Sequence, residues 1–286
     1  MTSVEAIEFD CDGDGLVGIL HRPETPAATG VIIVVGGPQY RVGSHRQYVL
    51  LARQLSANGF AVLRFDCRGM GDSEGRFPGF EHIGPDIRAA VDTMCRRVPV
   101  ISRVVLWGLC DAASACMIHG WRDERIAGLV ALNPWVRSDQ TLARAYLRGY
   151  YVRRLLSRDF WIGLLSGRMQ AAAAARDLRQ QLAAVTSDGS GADFVADMLG
   201  GLDRIKGPVA IILSGNDLVA VEFSTVAARA DWQRLLAEPR FLQHTVKAAT
   251  HTFSSAAWRA EVERETLAVV TMVDRDLTAE NCRRLP

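Results

Sequence analysis

The sequence predicts an α/β fold, a mostly parallel central sheet flanked by helices and interrupted by a helical cap insertion. Three observations carry this expectation. Short β-branched apolar runs alternate with longer amphipathic stretches, the order expected of strand–helix units. The run Val31-Ile32-Ile33-Val34-Val35 is unbroken apolar, as in strands covered on both faces. The alternation stops after Trp135 and resumes near Val209. With 286 residues the chain is long enough for one large core without disulfide or metal staples.

Residues 4–10 and 16–21 read as an antiparallel pair turned by Asp12-Gly13-Asp14-Gly15. A buried strand follows at 30–35. Tyr48, Leu51, Ala52 and Leu55 then recur at helical spacing within 45–57, with Ser44 as the expected N-cap. Gly59 sits where a helix C-terminus needs it, before a strand from Phe60 to Phe65. Gly84-Pro85-Asp86 opens a helix to about Arg97, since proline and an acid both suit a first turn. Val104 to Trp107 is a strand that meets Gly108 and a helix of small residues. Ile126 to Leu132 is another, ending at Asn133-Pro134-Trp135. From Arg137 to Ala184 the chain reads as helical and arginine-rich, and polar residues with Gly200-Gly201 make 186–201 loop-like. Strands resume at 209–213 and 241–246, and a last helix covers about 255–272. The expected division is a core of residues 1–135 and 206–286 with a helical cap at 136–205.

Composition narrows the function. The 33 basic and 32 acidic side chains nearly cancel, so no whole-chain field attracts nucleic acid. No apolar run approaches the roughly 18–20 residues of a membrane span. The opening Met-Thr-Ser-Val-Glu-Ala-Ile-Glu lacks the features of a secretory signal. The six cysteines are irregularly spaced, and none form C-x-x-C. The expectation is a cytoplasmic protein with free thiols, needing no metal or cofactor.

The chemistry centres on Trp107-Gly108-Leu109-Cys110-Asp111-Ala112, where a strand turns sharply into a helix. On this motif alone two readings of Cys110 stand: an inert core thiol, or a nucleophile lifted above the sheet edge. The stretch resembles the nucleophile elbow G-x-S-x-G of α/β-hydrolases, with Cys110 in place of serine and Ala112 in place of the second glycine. That resemblance implies a triad in the chain order nucleophile, acid, histidine. Asp217, in Leu213-Ser214-Gly215-Asn216-Asp217, and His251, in Ala249-Thr250-His251-Thr252-Phe253, both follow strand signals in that order. C-terminal strand ends are where open α/β sheets place their sites. Asp217 would orient His251, and His251 would take the thiol proton.

The same resemblance implies an oxyanion hole of two backbone N–H groups. One is that of Asp111. The other lies in Gly36-Gly37-Pro38-Gln39-Tyr40, where Pro38 has no N–H and Gln39 is the expected donor. Gly37, Tyr40, His45 and Arg46 are candidate substrate contacts. The segment Arg64 to Gly75 also resembles the family, and implies that Asp66 and Arg68 are architectural. Gly36 to Arg46 together with Gly108-Leu109-Cys110-Asp111 resembles, more narrowly, the hydrolases associated with exosortase A systems.

A cysteine at the elbow implies an acyl-cysteine, itself a thioester, formed from an ester or thioester substrate. The acyl group passes to water in a hydrolase, or to an amine or hydroxyl in an acyltransferase. A silent hydrolase fold that only binds a ligand is the reading from a different class. Asp111 is the odd residue, because a carboxylate beside a thiolate opposes its charge. In the insertion, nine arginines (137, 144, 148, 153, 154, 158, 168, 176 and 179) stand against Asp139, Asp159 and Asp177, interleaved with aromatics. Three readings are open for that segment: a solvated cap face, a dock for a coenzyme A- or acyl carrier protein-linked substrate, and peripheral membrane contact.

Overall fold

The computed structural model describes residues 2–37, 39–136 and 193–284. Eight strands form one sheet in the order β1-β2-β4-β3-β5-β6-β7-β8. β1 (Ser3–Cys11) and β2 (Asp14–Arg22) are an antiparallel hairpin, and β2 also lies antiparallel to β4 (Ala61–Phe65). The turn is the two residues Asp12-Gly13, both with positive φ, as a tight hairpin requires. From β4 onward, β3 (Thr29–Val34), β5 (Arg103–Leu109), β6 (Ile126–Leu132), β7 (Val209–Ser214) and β8 (Phe241–Val246) are all paired in parallel. Every residue of β3, β4 and β6 is buried, which explains why apolar residues dominate them, Thr29 and Arg64 being the polar exceptions.

Helices α1 (Gln47–Ala57), α2 (Gly84–Arg97), α3 (Asp111–His119), α4 (Asp193–Arg204), α5 (Leu218–Ala227), α6 (Ala230–Leu236) and α7 (Ala256–Arg284) flank the sheet. α7 ties to the sheet through Trp107 of β5, whose Nε1 donates to Thr266 Oγ1 at 3.2 Å.

Three local expectations fail. Ser44 does not cap α1; it belongs to a 3-10 turn, Ser44–Arg46, and its N–H donates to Gln39 Oε1. Arg46, in left-handed backbone, precedes the helix without a side-chain cap. The cause is Gly43 (φ 73), which lies so close to the Tyr48 ring that a Cβ would stand 2.7 Å from it. The expected polar loop is, in its described part, helix α4. Phe194, Val195, Met198 and Leu202 are buried at helical spacing. Gly201 is in the helix because a Cβ would meet the Met117 carbonyl of α3 at 2.1 Å. The last helix also runs twelve residues past its expected end, to Arg284. The expected arginine-rich helices at 137–184 lie outside the described residues.

Just before that segment the Trp135 ring stacks on Phe194 of α4 (5.6 Å, 11° between planes), and Phe80 stands edge-on to both.

Candidate active site

The elbow between β5 and α3 is built by close approach. Gly108 lies against the first turn of α3, where a Cβ would meet the Ala112 carbonyl carbon at 2.7 Å. Cys110 has φ 62 and ψ −125, a conformation L residues adopt only where the surroundings impose it. Here they do. Its N–H donates to Leu132 O at 2.9 Å, and its carbonyl accepts from Ser114 N and Trp135 N, each at 3.2 Å. Ser114 Oγ donates to Trp135 O at 2.7 Å, which closes the brace between α3 and the end of β6. Ala112 fits at the second glycine position because Gly36, at the end of β3, has no side chain. A Cβ on Gly36 would stand 2.8 Å from that of Ala112.

Asp217 and His251 reach this elbow from the ends of β7 and β8, beyond β6. Asp217 follows β7 and caps α5, accepting from Ala220 N at 3.3 Å. Its Oδ2 lies 2.8 Å from Nδ1 of His251, in the loop after β8. Hydrogen bonds to Asp217, first, and then to the Cys110 sulfur push the His251 imidazole up to about 10, against burial, which lowers it. The structure therefore brings Cys110, His251 and Asp217 to one place at the C-terminal sheet edge.

Two residues that the sequence reading did not single out hold the histidine loop. Asn133, fully buried with φ 41, donates through Nδ2 to His251 O (3.0 Å) and Ser214 Oγ (2.8 Å). Its Oδ1 accepts from Ser214 N at 2.8 Å, while Ser214 Oγ donates to Thr250 O at 2.9 Å. The available signal was an asparagine closing an apolar strand ahead of proline, a residue that tolerates positive φ.

On the opposite side stands the loop after β3. Asp111 turns its carboxylate into it: Oδ2 accepts from Gly37 N at 2.8 Å, and Oδ1 from Ala112 N at 3.0 Å. Burial raises the Asp111 carboxyl, and the bonds from Gly37 and Ala112 oppose that rise. Gln39 accepts the Ser44 N–H through its side chain. Gly37, Gln39 and Tyr40 line a cavity of about 460 Å³ with Met70 and Phe77. His45 and Arg46 lie further along this loop, exposed and in left-handed backbone.

The segment expected to be architectural is saturated with internal bonds. Buried Asp66 accepts from Arg41 N (2.6 Å), Asp72 N (3.1 Å) and the Arg41 guanidinium. Arg68 donates to both oxygens of buried Asp86, at 2.9 and 3.1 Å to Oδ2 and 3.3 Å to Oδ1. Burial raises the thiols of Cys11 (to about 11), Cys67, Cys95 and Cys116, which disfavours their thiolates. Cys282 is outside the described side chains. Among the described residues no cluster of His, Cys, Asp and Glu could hold a metal ion, and no helix is long and apolar enough to cross a membrane.

A mostly parallel sheet with this elbow after β5, and with an acid and a histidine after β7 and β8, defines an α/β-hydrolase fold. Solved structures agree on the fold: the esterase Pf2001 of Pyrococcus furiosus (TM-score 0.68, 17% identity, 94% of this chain and 91% of that one). The α/β hydrolase GrgF of Penicillium sp. sh18 (0.63, 17%, 96% and 98%) and the ferulic acid-bound Est1E of Butyrivibrio proteoclasticus (0.62, 16%, 93% and 100%) match similarly. Residues 27–228 match the family model described as serine aminopeptidase, S33, and the chain belongs to that hydrolase family. The quorum-quenching protein AidA of Acinetobacter baumannii is 30% identical over 136 residues, 45% of this chain and 43% of that protein. The chain thus spans less than half the length of this curated relative.

Proposed function

We propose that the protein cleaves an ester or thioester of a small acyl substrate through Cys110, His251 and Asp217, by way of an acyl-cysteine. The observation that carries this reading is the paired His251–Asp217 beside a cysteine on a strained elbow. The chemistry follows from the charges. An imidazole whose proton is held to about pH 10 acts on Cys110 as a cation, and a neighbouring cation with the N-terminus of α3 favours the thiolate. Thiolate attacks the acyl carbon, the oxyanion settles against the Asp111 and Gln39 N–H groups, and His251 gives its proton to the leaving oxygen or sulfur. In the second half His251, now neutral, takes a proton from water, which attacks the thioester and frees Cys110.

The likeness in fold to the esterase Pf2001 supports acyl-ester chemistry. The cysteine and the resemblance to exosortase A-associated hydrolases extend the reading to thioesters. The arginine-rich stretch 137–184, in the 136–205 segment that we assign to a cap although its last part, α4, packs back on the 1–135 and 206–286 core, supports a coenzyme A- or carrier-linked donor in the cytoplasm.

Intact-mass measurement after exposure to p-nitrophenyl esters and acyl thioesters tests the proposal. A transient acyl adduct is expected on the wild type and absent from Cys110→Ala. No adduct and no turnover with any donor would favour a ligand-binding protein, and faster adduct loss with an added amine would favour an acyltransferase.

A further inference from the structure

The mechanism above uses the backbone of Asp111 and leaves its side chain without a task, yet that side chain is in a costly place. A carboxylate one residue from the nucleophile opposes both the thiolate and the oxyanion. Its position is nonetheless closely built. Both oxygens are taken by backbone donors, Oδ2 by Gly37 N (2.8 Å) and Oδ1 by Ala112 N (3.0 Å). The loop is shaped to receive it. A Cβ on Gly36 would lie 2.2 Å from Oδ1, so only glycine admits the carboxylate there, and Gly37 takes φ 60. The bond joins residues 74 apart in sequence, on the two halves of the site where an oxyanion would sit.

The consequence for the oxyanion is specific. The Gly37 N–H is occupied by Asp111, and Pro38 has no N–H, so the next donor along the loop is that of Gln39. Gly36 otherwise meets the elbow only at Ala112, where a Cβ would stand 2.6 Å from the backbone N and 2.8 Å from the methyl. We propose that Asp111 is a positioning residue, whose carboxylate straps the loop after β3 to the elbow and so fixes the spacing between the loop donor and the Asp111 N–H. The inference rests on the acyl-transfer reading of the site. It gives the unfavourable charge a compensating role: preorganised donors act only when their spacing is set before the reaction. Burial raises the Asp111 carboxyl, while hydrogen bonds from the N–H groups of Gly37, Ala112 and Asp111 itself, and then the His251 charge, oppose the rise.

The test uses Asp111→Ala and Asp111→Asn in the full chain, with three readouts. Alkylation of Cys110 by iodoacetamide forms no oxyanion, so it should proceed in Asp111→Ala at least as fast as in the wild type. Turnover of p-nitrophenyl acetate should lose about 10²-fold in kcat, the order of one oxyanion donor, with KM within about twofold. Asp111→Asn keeps one acceptor for Gly37 and should recover about tenfold of that loss. Amide hydrogen exchange of the peptide carrying Gly36 and Gly37 should accelerate about tenfold in Asp111→Ala. Unchanged kcat, equal losses of alkylation and turnover, or unchanged exchange would each overturn the strap. If the wild type turned over no acyl donor, the acyl-transfer reading would fall, and the exchange experiment would still decide whether Asp111 holds the loop.

Discussion

The two sides of the elbow are held by different means. On the β7–β8 side, His251 is fixed by side chains that are themselves fixed: Asp217 at the ring, and Asn133 and Ser214 at the backbone behind it. On the β3 side, the loop meets the elbow through one carboxylate and the absence of a side chain at Gly36. The first side is redundant and the second is not. Errors on the histidine side should therefore be buffered unless they strike the reacting pair itself, while small errors on the loop side should be felt at once.

The largest effect expected comes from the pair. Asp217→Asn leaves the shape intact and removes the charge that orients and holds the His251 proton, so kcat/KM for an ester should fall about 10³–10⁴-fold. Because Asp217 raises His251, its removal lowers the imidazole. The high-pH limb of the wild-type profile, expected near 10, should move toward neutrality. The same sign applies to stability. A folded value above the ordinary 6.5 gives a contribution present in full below about 6.5 and lost as pH rises through about 10. Thermal melts of the wild type and His251→Ala across that range should converge at the alkaline end.

Next comes the loop side. Gly36→Ala places a methyl 2.2 Å from Asp111 Oδ1 and 2.6 Å from Ala112 N, and should cost about 10²-fold in kcat. Iodoacetamide reactivity of Cys110 should stay within about twofold. If it falls with kcat, the two sides are mechanically one. Asn133→Ala should be milder in rate, about tenfold. It should cost about 2–4 kcal/mol, since it strands the buried N–H of Ser214 and the His251 carbonyl. A melting temperature roughly 5–10 °C lower would show this. The smallest effect concerns the insertion. Added salt should reduce kcat/KM several-fold for a coenzyme A thioester and leave a neutral p-nitrophenyl ester unchanged. Equal responses would remove the carrier-docking role.

The same contrast explains what the sequence made legible. Strands β3 to β7 were readable because their burial favours runs dominated by apolar residues, and β8, half exposed, only by its β-branched and aromatic ends; Cys110 follows its strand directly, and Asp217 and His251 lie three and five residues past theirs. The bracing was not readable. Asn133 and Ser214 are ordinary polar residues until two strand ends bring them within 2.8 Å. The direction of the Asp111 side chain depends on a glycine 75 positions earlier having left room. Helix α4 was hidden because Gly200-Gly201 reads as a breaker in one dimension, whereas its packing against Met117 demands a missing side chain. Helices α5 and α6 carried no signal strong enough to be drawn from the 218–236 pattern.

The stacked rings of Trp135 and Phe194 have a bearing on how the molecule could change. They put the exit from β6 and the entry to α4 side by side, so residues 136 and 193 bring the two ends of the intervening chain to one point of the core. Closing a chain excursion whose ends already touch costs little more when the excursion lengthens. That junction is a natural graft point: foreign segments spliced between these two aromatics could retune what the enzyme admits while the machinery beneath is inherited whole.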